Sequence, residues 1–307
     1  MKKVIFILFF IFMVIVFDTK IFPDTLYNVY YKLNNKTYKI VENTDILNSN
    51  DYTKKDYSSY VSSTDSLTAH NKQELTDIYY SAVNQGYDKL TFYCDASYHE
   101  CGDDINYLNK EDNNFSYINQ LVGVYNTYSA IESTYSTNLR VDISIERKYQ
   151  EEDIKMIDDA INIAIDELDI NNYEDVVNKI KVFHDFIAST TSYDQDRANN
   201  LNSPYRSDSA YGPLFEDKAI CSGYSDAMSL FLDKLGLENI RVATDSHVWN
   251  AVLINNIWYH IDLTWDDPIV TNGGDIIQYD YFLITTDELE SLGDDEHDFN
   301  KEVYDFL

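Results

Sequence analysis

The chain has 307 residues, of which 25% are charged, and a formal net charge of −30 at pH 7. This length is enough for one large domain or two small domains with a buried core. So acidic a surface repels nucleic-acid phosphates and anionic lipid headgroups, which excludes nucleic acid as an expected partner. Contact with a membrane is therefore expected only through an apolar segment.

Residues 1 to 23 predict a signal peptide or a membrane anchor. Lys2 and Lys3 precede an apolar run from Val4 to Phe17, and this order of charged and apolar residues is typical of a secretory signal. The run is short for a membrane-spanning helix, and no clear small-x-small cleavage site follows it. We expect an exported protein that is either secreted or anchored to the membrane, and the sequence leaves both open.

Residues 24 to 71 are predicted to hold a short strand and then a flexible linker. Tyr, Val and Leu recur over residues 24 to 40, which favours a strand. From Glu42 to about Asn71 the chain is rich in Ser, Thr, Asn, Asp and Tyr, a composition that is typical of a linker.

Residues 72 to 149 predict a small N-terminal α/β accessory module. In its last strand Val141, Ile143 and Ile145 alternate with polar residues, the pattern of a half-buried strand. The predicted helices are Glu74–Val83, Asp103–Asn109 and Phe115–Tyr125, and the predicted strands are Lys89–Cys94 and Leu139–Glu146. No motif in this module indicates what it does.

The chain has three cysteines, two of them close together. In an exported protein Cys94 and Cys101 can form a disulfide, which would leave Cys221 as the free thiol. Two unpaired structural thiols are an alternative. A metal site that adds His99 is another, although it lacks a fourth ligand.

Residues 150 to 307 are predicted to form the domain that carries the chemistry, and two amphipathic helices, over residues 150 to 168 and 173 to 187, open it. After Cys221, apolar residues at spacings of three and four predict another amphipathic helix that ends near Gly236. Cys221 then lies at a helix N-terminus, where free N–H groups and the helix dipole stabilise a thiolate. We expect Gly223 to leave room for a substrate backbone.

Residues 247 to 264 predict a β-hairpin that turns at Asn255 and Asn256, because asparagine tolerates the positive φ that a two-residue turn requires. This turn pairs Ile254 with Ile257. The resulting register puts His247 and Asp262 on one face of the hairpin, diagonal to each other. A slip of one residue would separate them.

Cys221, His247 and Asp262 are therefore the candidate catalytic residues, as nucleophile, base and orienter of the base. Cys221 attacks a carbonyl carbon, and His247 takes the thiol proton and later protonates the leaving group. Asp262 fixes the tautomer of the imidazole. The backbone N–H of Cys221 is a candidate oxyanion donor. We expect neither a cofactor nor a metal.

These motifs resemble the transglutaminase-like superfamily of papain-like cysteine enzymes, and in particular its bacterial exported members. The resemblance covers residues 172 to 285. The matching pieces, in chain order, are Tyr193-Asp194, Tyr211-Gly212, Lys218 to Tyr224, His247 to Asn250, Trp258 to Asp262 and Thr264 to Pro268. It implies a Cys-His-Asp triad at Cys221, His247 and Asp262. It also implies an α+β fold with a papain-like core, in which the cysteine-bearing helix packs on an antiparallel sheet.

The resemblance implies an enzyme that acts on peptide or glutamine-type amide bonds through a thioester, either as a hydrolase (a cysteine protease, for example) or by acyl transfer. The expected substrate is a protein or peptide, at the cell surface or in the cell wall. Relatives also include inactive scaffolds, so a non-catalytic binding module at the cell surface stays open as an alternative. A further alternative is an interaction protein whose N-terminal module carries the function. We also expect no calcium site, because the adjacent residues Asp266 and Asp267 alone offer too few ligands for calcium.

Overall fold

The computed structural model describes residues 52–109, 116–136, 139–268 and 276–307. They form a mixed α+β fold with two four-stranded sheets and one short two-stranded pair. The predicted signal or anchor and the predicted strand over residues 24 to 40 lie outside the described residues. Within the described ranges, no helix is long and apolar enough to cross a membrane.

The first sheet belongs to the predicted N-terminal module and has the strand order β1-β2-β4-β3. Strand β1 pairs with β2 in parallel, and β4 pairs with β2 and β3 in antiparallel. The strands are β1 (Thr68–Ala69), β2 (Lys89–Cys94), β3 (Tyr128–Tyr135) and β4 (Arg140–Arg147). The helices that accompany them are α1 (Lys72–Asn84), α2 (Cys101–Leu108), α3 (Tyr117–Leu121) and a 3-10 turn (Val124–Asn126).

Most of the predicted elements of this module are present. Strand β2 has the predicted bounds, and Val141, Ile143 and Ile145 of β4 are buried as the alternation predicts. The predicted helix over Phe115–Tyr125 is too long, since α3 ends at Leu121. Gly123, two residues after the helix, packs closely against the backbone, since a Cβ atom there would lie 2.1 Å from the carbonyl oxygen of Tyr52. Strand β3 was not predicted.

Cys94, at the end of β2, and Cys101, at the start of α2, form a disulfide. This pairing is one of the three alternatives that the sequence left open. Cys221 is the free cysteine, and it is buried.

The rest of the described chain supplies a second sheet with the strand order β10-β9-β8-β7, antiparallel throughout. Its strands are β7 (Asn239–Ala243), β8 (Val248–Ile254), β9 (Ile257–Ile261) and β10 (Phe282–Ile284). A separate parallel pair consists of β5 (Ser192–Tyr193) and β6 (Lys218–Ala219). The helices are α4 (Glu151–Glu167), α5 (Val176–Thr190), α6 (Gln195–Ala198), α7 (Cys221–Lys234), α8 (Leu263–Asp266) and α9 (Thr286–Leu292). Shorter turns are the 3-10 segments Ile170–Asn172 and Asp295–His297 and the π-helical turn Gly212–Glu216.

The second sheet is packed on both faces, because successive side chains of a strand point to opposite sides. On one side, Val252 and Ile254 of β8 join a core formed with helices α4, α5 and α7. On the other, Trp249 and Ala251 join the core of the N-terminal module together with Tyr304 from the C-terminal segment. The end of the hairpin away from the turn, at Val248 and Ile261, is therefore buried.

The described part of the predicted linker makes hydrogen bonds to both halves of the molecule. Thr53 Oγ1 donates to the carbonyl of Asn84 at 3.1 Å, and the backbone N–H of Ser59 donates to Asp305 at 3.1 Å. Lys54 forms an ion pair with Asp233 of α7. The predicted domain boundaries, at residues 71 and 149, stay a prediction.

Candidate functional site

Helix α7 holds Cys221 as its first residue, with Ile220 in extended conformation at the N-cap. The predicted end of the helix is confirmed: Gly236 has φ +71°, and the N–H of Leu237 returns to the carbonyl of Leu232 at 3.0 Å, which is a Schellman motif. Among the hydrogen bonds of the described residues, none takes the backbone N–H of Cys221. That N–H is available to a substrate oxygen.

Two expectations about this helix are wrong. It is not amphipathic, since every residue from Cys221 to Leu232 is buried; the helix lies between the second sheet and α5, and its polar Asp226 is neutralised by Lys148 and Arg241. Nor does Gly223 leave room for a substrate. A Cβ atom there would lie 2.2 Å from the carbonyl oxygen of Ser207, so the close approach is made by the protein's own backbone.

The hairpin has the predicted register. Asn255 and Asn256 have φ of 53° and 65°, and the ladder runs from Ile254↔Ile257 to Asn250↔Ile261. Strand β9 is shorter than predicted and ends at Ile261. It ends there because the Asp262 carboxylate caps α8, accepting from the N–H groups of Thr264 at 2.8 Å and Trp265 at 3.3 Å.

His247 and Asp262 meet at this end of the hairpin, and both are buried. His247 Nε2 lies 2.5 Å from Asp262 Oδ2. Cys221 lies close enough to the same ring to help raise its pKa. Since Nε2 is engaged by Asp262, Nδ1 is the nitrogen left for the sulfur. The structure thus brings the three predicted site residues into one contiguous chain of contacts.

The electrostatics of the pair follow from these contacts. Burial alone would lower the pKa of His247, but the charge and hydrogen bond of Asp262, together with Cys221, raise it well above its usual range. Burial would likewise raise the pKa of Asp262, but His247 and the hydrogen bond from His297 hold it well below its usual range. An imidazolium beside an ionised carboxylate is therefore the favoured state.

His297 is a member of this cluster that the sequence did not predict. Its Nε2 lies 2.9 Å from Asp262 Oδ2, the oxygen that also receives His247. Its Nδ1 lies 2.6 Å from Asp294 Oδ1. The only local signal is the spacing of Asp294 and His297, which suits a capped turn; nothing local relates either residue to Asp262.

Donor atoms of His247, Asp262 and His297 all lie within 4.8 Å of one another. This set of two imidazoles and a carboxylate could hold a transition metal ion. In the structure, hydrogen bonds between these three side chains already engage those atoms. The hydrogen bonds account for the cluster without a metal.

Tyr193 approaches the same cluster from β5, which pairs with β6 just before Cys221. Burial, and then the negative charge of Cys221, raise the pKa of Tyr193 well above its usual range. The hydroxyl therefore keeps its proton and is able to donate a hydrogen bond.

A cavity of about 360 Å³ opens beside His247. It is lined by Tyr193, Ser246, His247, Thr264, Trp265, Asp267, Pro268 and Glu296. Cys221 is not among these residues, is only 4% exposed and packs against Ala243 and Val248. A ligand in the cavity would meet the imidazole before it met the sulfur.

Two further buried histidines have both ring nitrogens engaged elsewhere. His184 lies 3.1 Å from both Asp185 and Asp266. His260 accepts from the indole N–H of Trp249 at 3.0 Å, and its other nitrogen lies 3.1 Å from Thr286 Oγ1. Because an indole N–H only donates, His260 is held neutral.

No family and no curated protein matches the sequence. Among solved structures, the chain is similar to one described as "Crystal structure of a TGase", with 18% identity and a TM-score of 0.35. The similarity covers 48% of this chain and 46% of that chain, so the chain spans less than half of the length of the structure it matches.

Proposed function

We propose that the protein is a cysteine-dependent enzyme that cleaves or transfers acyl groups at peptide or glutamine-type amide bonds. The observation that carries this proposal is the hydrogen bond between His247 and Asp262 beside a thiol. One ring nitrogen of His247 is 2.5 Å from the Asp262 carboxylate, and Cys221, the first residue of helix α7, lies close enough to the ring to help raise its pKa. Such an arrangement suits an activated thiol nucleophile.

The steps follow from these contacts. The thiolate of Cys221 attacks the amide carbon, and the carbonyl oxygen becomes an oxyanion that the free N–H of Cys221 stabilises. The hydroxyl of Tyr193 is the second donor that we assign to this oxyanion. As the C–N bond breaks, the protonated His247 gives its proton to the departing amine and a thioester remains. Water or an amine then attacks the thioester and loses a proton to His247, and Cys221 leaves as the thiolate, which restores the starting ion pair.

The topology fits the papain-like interpretation made from the sequence. The helix that carries the thiol packs on an antiparallel sheet, and the histidine and the aspartate come from the two arms of one hairpin in that sheet. Hydrolysis and transfer share the thioester and differ only in the acceptor.

Trapping of the thioester tests this proposal. The full chain is incubated with a glutamine-containing peptide and with hydroxylamine, which converts an acyl-enzyme into a hydroxamate that mass spectrometry detects. We expect hydroxamate from the parent protein and none from Cys221→Ala. Equal product from both proteins would refute a role for the thiol.

A non-catalytic module is the second candidate, and one specific observation favours it. Cys221 is only 4% exposed and packs in a small apolar cluster, as an ordinary structural cysteine does. Native alkylation with iodoacetamide, mapped by mass, separates the two candidates. An enzyme's Cys221 reacts in the folded protein, whereas a structural Cys221 reacts only after unfolding in urea.

We further propose that the protein works outside the cytoplasm. The disulfide between Cys94 and Cys101 supports this, because disulfides persist in oxidising compartments. Fractionation of the producing cells, followed by thiol counting on the protein without reductant, tests it. One free thiol in an exported fraction is the expected result, and three free thiols in the cytoplasm would contradict it.

A further inference from the structure

His297 occupies a position that the proposed chemistry does not yet use. It is the last residue of the 3-10 turn Asp295–His297, and its side chain is only 2% exposed. Its Nε2 is 2.9 Å from Asp262 Oδ2, the same oxygen that His247 engages. A buried imidazole is costly unless its nitrogens are hydrogen-bonded. The bond to Asp262 therefore ties the position of His297 to that of the carboxylate that orients His247.

The carboxylates on both sides of the ring determine its protonation state. His297 Nδ1 lies 2.6 Å from Asp294 Oδ1, and Nε2 faces Asp262. An ionised carboxylate only accepts hydrogen bonds, so both ring nitrogens must donate, and only the positively charged imidazolium does so. Asp294 is itself fixed by the backbone N–H of His297 at 3.0 Å and the hydroxyl of Tyr281 at 3.0 Å.

Asp262 consequently receives four donors. Oδ2 receives the two imidazoles, and Oδ1 receives the backbone N–H groups of Thr264 and Trp265. Four is about the full acceptor capacity of a carboxylate. The carboxylate therefore has no freedom to rotate away from His247 without breaking a bond to His297.

We propose that His297 is a positioning residue for the Cys221–His247 pair. It acts through Asp262, holding that carboxylate against His247, and it supplies a second buried positive charge that sets the pH range in which the pair works. This inference rests on the proposed function of the same site.

The other charged or titratable groups around Asp262 come from several elements. They are Cys221 on α7, Tyr193 on β5, His247 before β8, Asp266 on α8, Asp294 before the C-terminal turn and Glu296 within that turn. His260 on β9 is neutral and also feels the charge of His297. Tyr224 on α7 and Tyr281 before β10 also face this group, and their raised pKa values keep them neutral. Among these groups, His247 alone carries positive charge besides His297. Removal of the His297 charge therefore makes its neighbours hold their protons more tightly.

Two substitutions separate the contact from the charge. His297→Gln keeps an amide donor at the position of Nε2, facing Asp262, but removes the charge. His297→Asn keeps a donor only at the position of Nδ1, facing Asp294, and loses the contact with Asp262 as well. His184→Gln is the matched control, since His184 is also buried and also bonds a carboxylate through Nε2.

The measurement is the rate of alkylation of Cys221 by iodoacetamide in the full chain, mapped by mass, over the pH range in which imidazoles and thiols titrate. We expect the rate profile of both His297 variants to move upward by about one pH unit, the lower end of the effect of a neighbouring charge. The maximal rate should fall further in His297→Asn than in His297→Gln. His184→Gln should keep the parent profile.

Folded His297 variants with the parent profile, or an equal shift in His184→Gln, would overturn the proposal. Failure of the proposed function looks different, because Cys221 of the parent would then be unreactive or indifferent to His247→Ala. If the His297 variants do not fold, nitrogen NMR of the parent labelled with ¹⁵N-histidine provides the test. Two protonated ring nitrogens on His297 at neutral pH support the proposal, and a neutral ring refutes it.

Discussion

His247 and His184 are both buried histidines that bond a buried aspartate, yet their surroundings give them different capabilities. His184 has a carboxylate at each nitrogen. His247 has a carboxylate at one nitrogen, and Cys221 lies near its ring. Burial and a carboxylate partner are thus common to both rings, and the nearby thiol of Cys221 is what distinguishes His247 from His184.

The two aspartates differ in the same way. Asp262 receives four hydrogen bonds, and its pKa is well below the usual range in spite of burial. For Asp266, burial raises the pKa in spite of bonds from His184 and the N–H of Tyr281. The number and charge of the donors decide whether the pKa of a buried carboxyl is lowered or raised.

The largest contrast is expected from replacing each histidine by glutamine. His247→Gln should lower the rate of hydroxamate formation by about 10²- to 10⁴-fold, the usual contribution of a general base. His184→Gln should leave that rate nearly unchanged and should instead lower the free energy of unfolding by about 1 to 3 kcal/mol, because glutamine keeps a donor toward Asp266 but loses the hydrogen bond to the carboxylate of Asp185. Urea unfolding measures the second effect. Equal rate losses in the two variants would end the distinction between the sites.

The aspartates give the next largest contrast. Asp262→Asn should lower the rate by about 10²-fold, the lower end of the contribution of a base, since His247 remains but loses its orientation and charge partner. Asp266→Asn should change the free energy of unfolding by only about 1 kcal/mol, since burial already disfavours the ionised carboxyl there. The rate of this control should match the parent. A slow Asp266→Asn enzyme would mean that α8 as a whole, and not Asp262, tunes the site.

His260 should make the fold sensitive to acid. Burial and the charge of His297 lower the pKa of His260 from 6.5 to about 3. Between these two pH values the unfolded chain binds a proton that the folded chain does not, so stability falls as the pH falls, by at most about 1.4 kcal/mol per pH unit. His260→Asn, which keeps an acceptor for Trp249, should flatten this slope in urea unfolding from pH 6.5 to about 3.

The pH dependence of stability that His247 contributes has the opposite sign to that of His260. Its pKa is raised in the fold, so its stabilising contribution is complete below the unfolded pKa of about 6.5 and is lost as the pH rises through the folded value. His247→Gln should therefore lose more stability in acid than in alkali. Parallel pH profiles for His247→Gln and His260→Asn would show that the two rings share one environment.

The smallest effect is expected at the turn that sets the hairpin register. Asn256 has φ of 65°, and Asn256→Ala should cost about 1 kcal/mol because alanine lacks the local polar contacts that make this conformation acceptable. Asn256→Gly should cost nothing measurable. Both variants should keep the alkylation rate of Cys221, because packing on both faces of β8 also holds the register. A large loss of that rate in the alanine variant would show that the turn alone aligns His247 with Asp262.

The sequence by itself determined the features that depend on local pattern. It predicted the helix that begins near Cys221 and stops before Gly236, because apolar residues recur there at spacings of three and four and glycine suits the end of a helix. It predicted the hairpin register from two asparagines, and with it the contact between His247 and Asp262. Strands have a period of two, so a known turn fixes which side chains share a face.

Only the tertiary structure decided the burial of α7, the backbone packed against Gly223, the place of β3 and the presence of His297 beside Asp262. Asp262 and His297 are 35 positions apart, and no periodicity links them. Such contacts arise from packing that is shared among many residues across the two faces of the second sheet. Because that free energy is distributed and not local, it leaves no short pattern in the sequence from which the contact can be predicted.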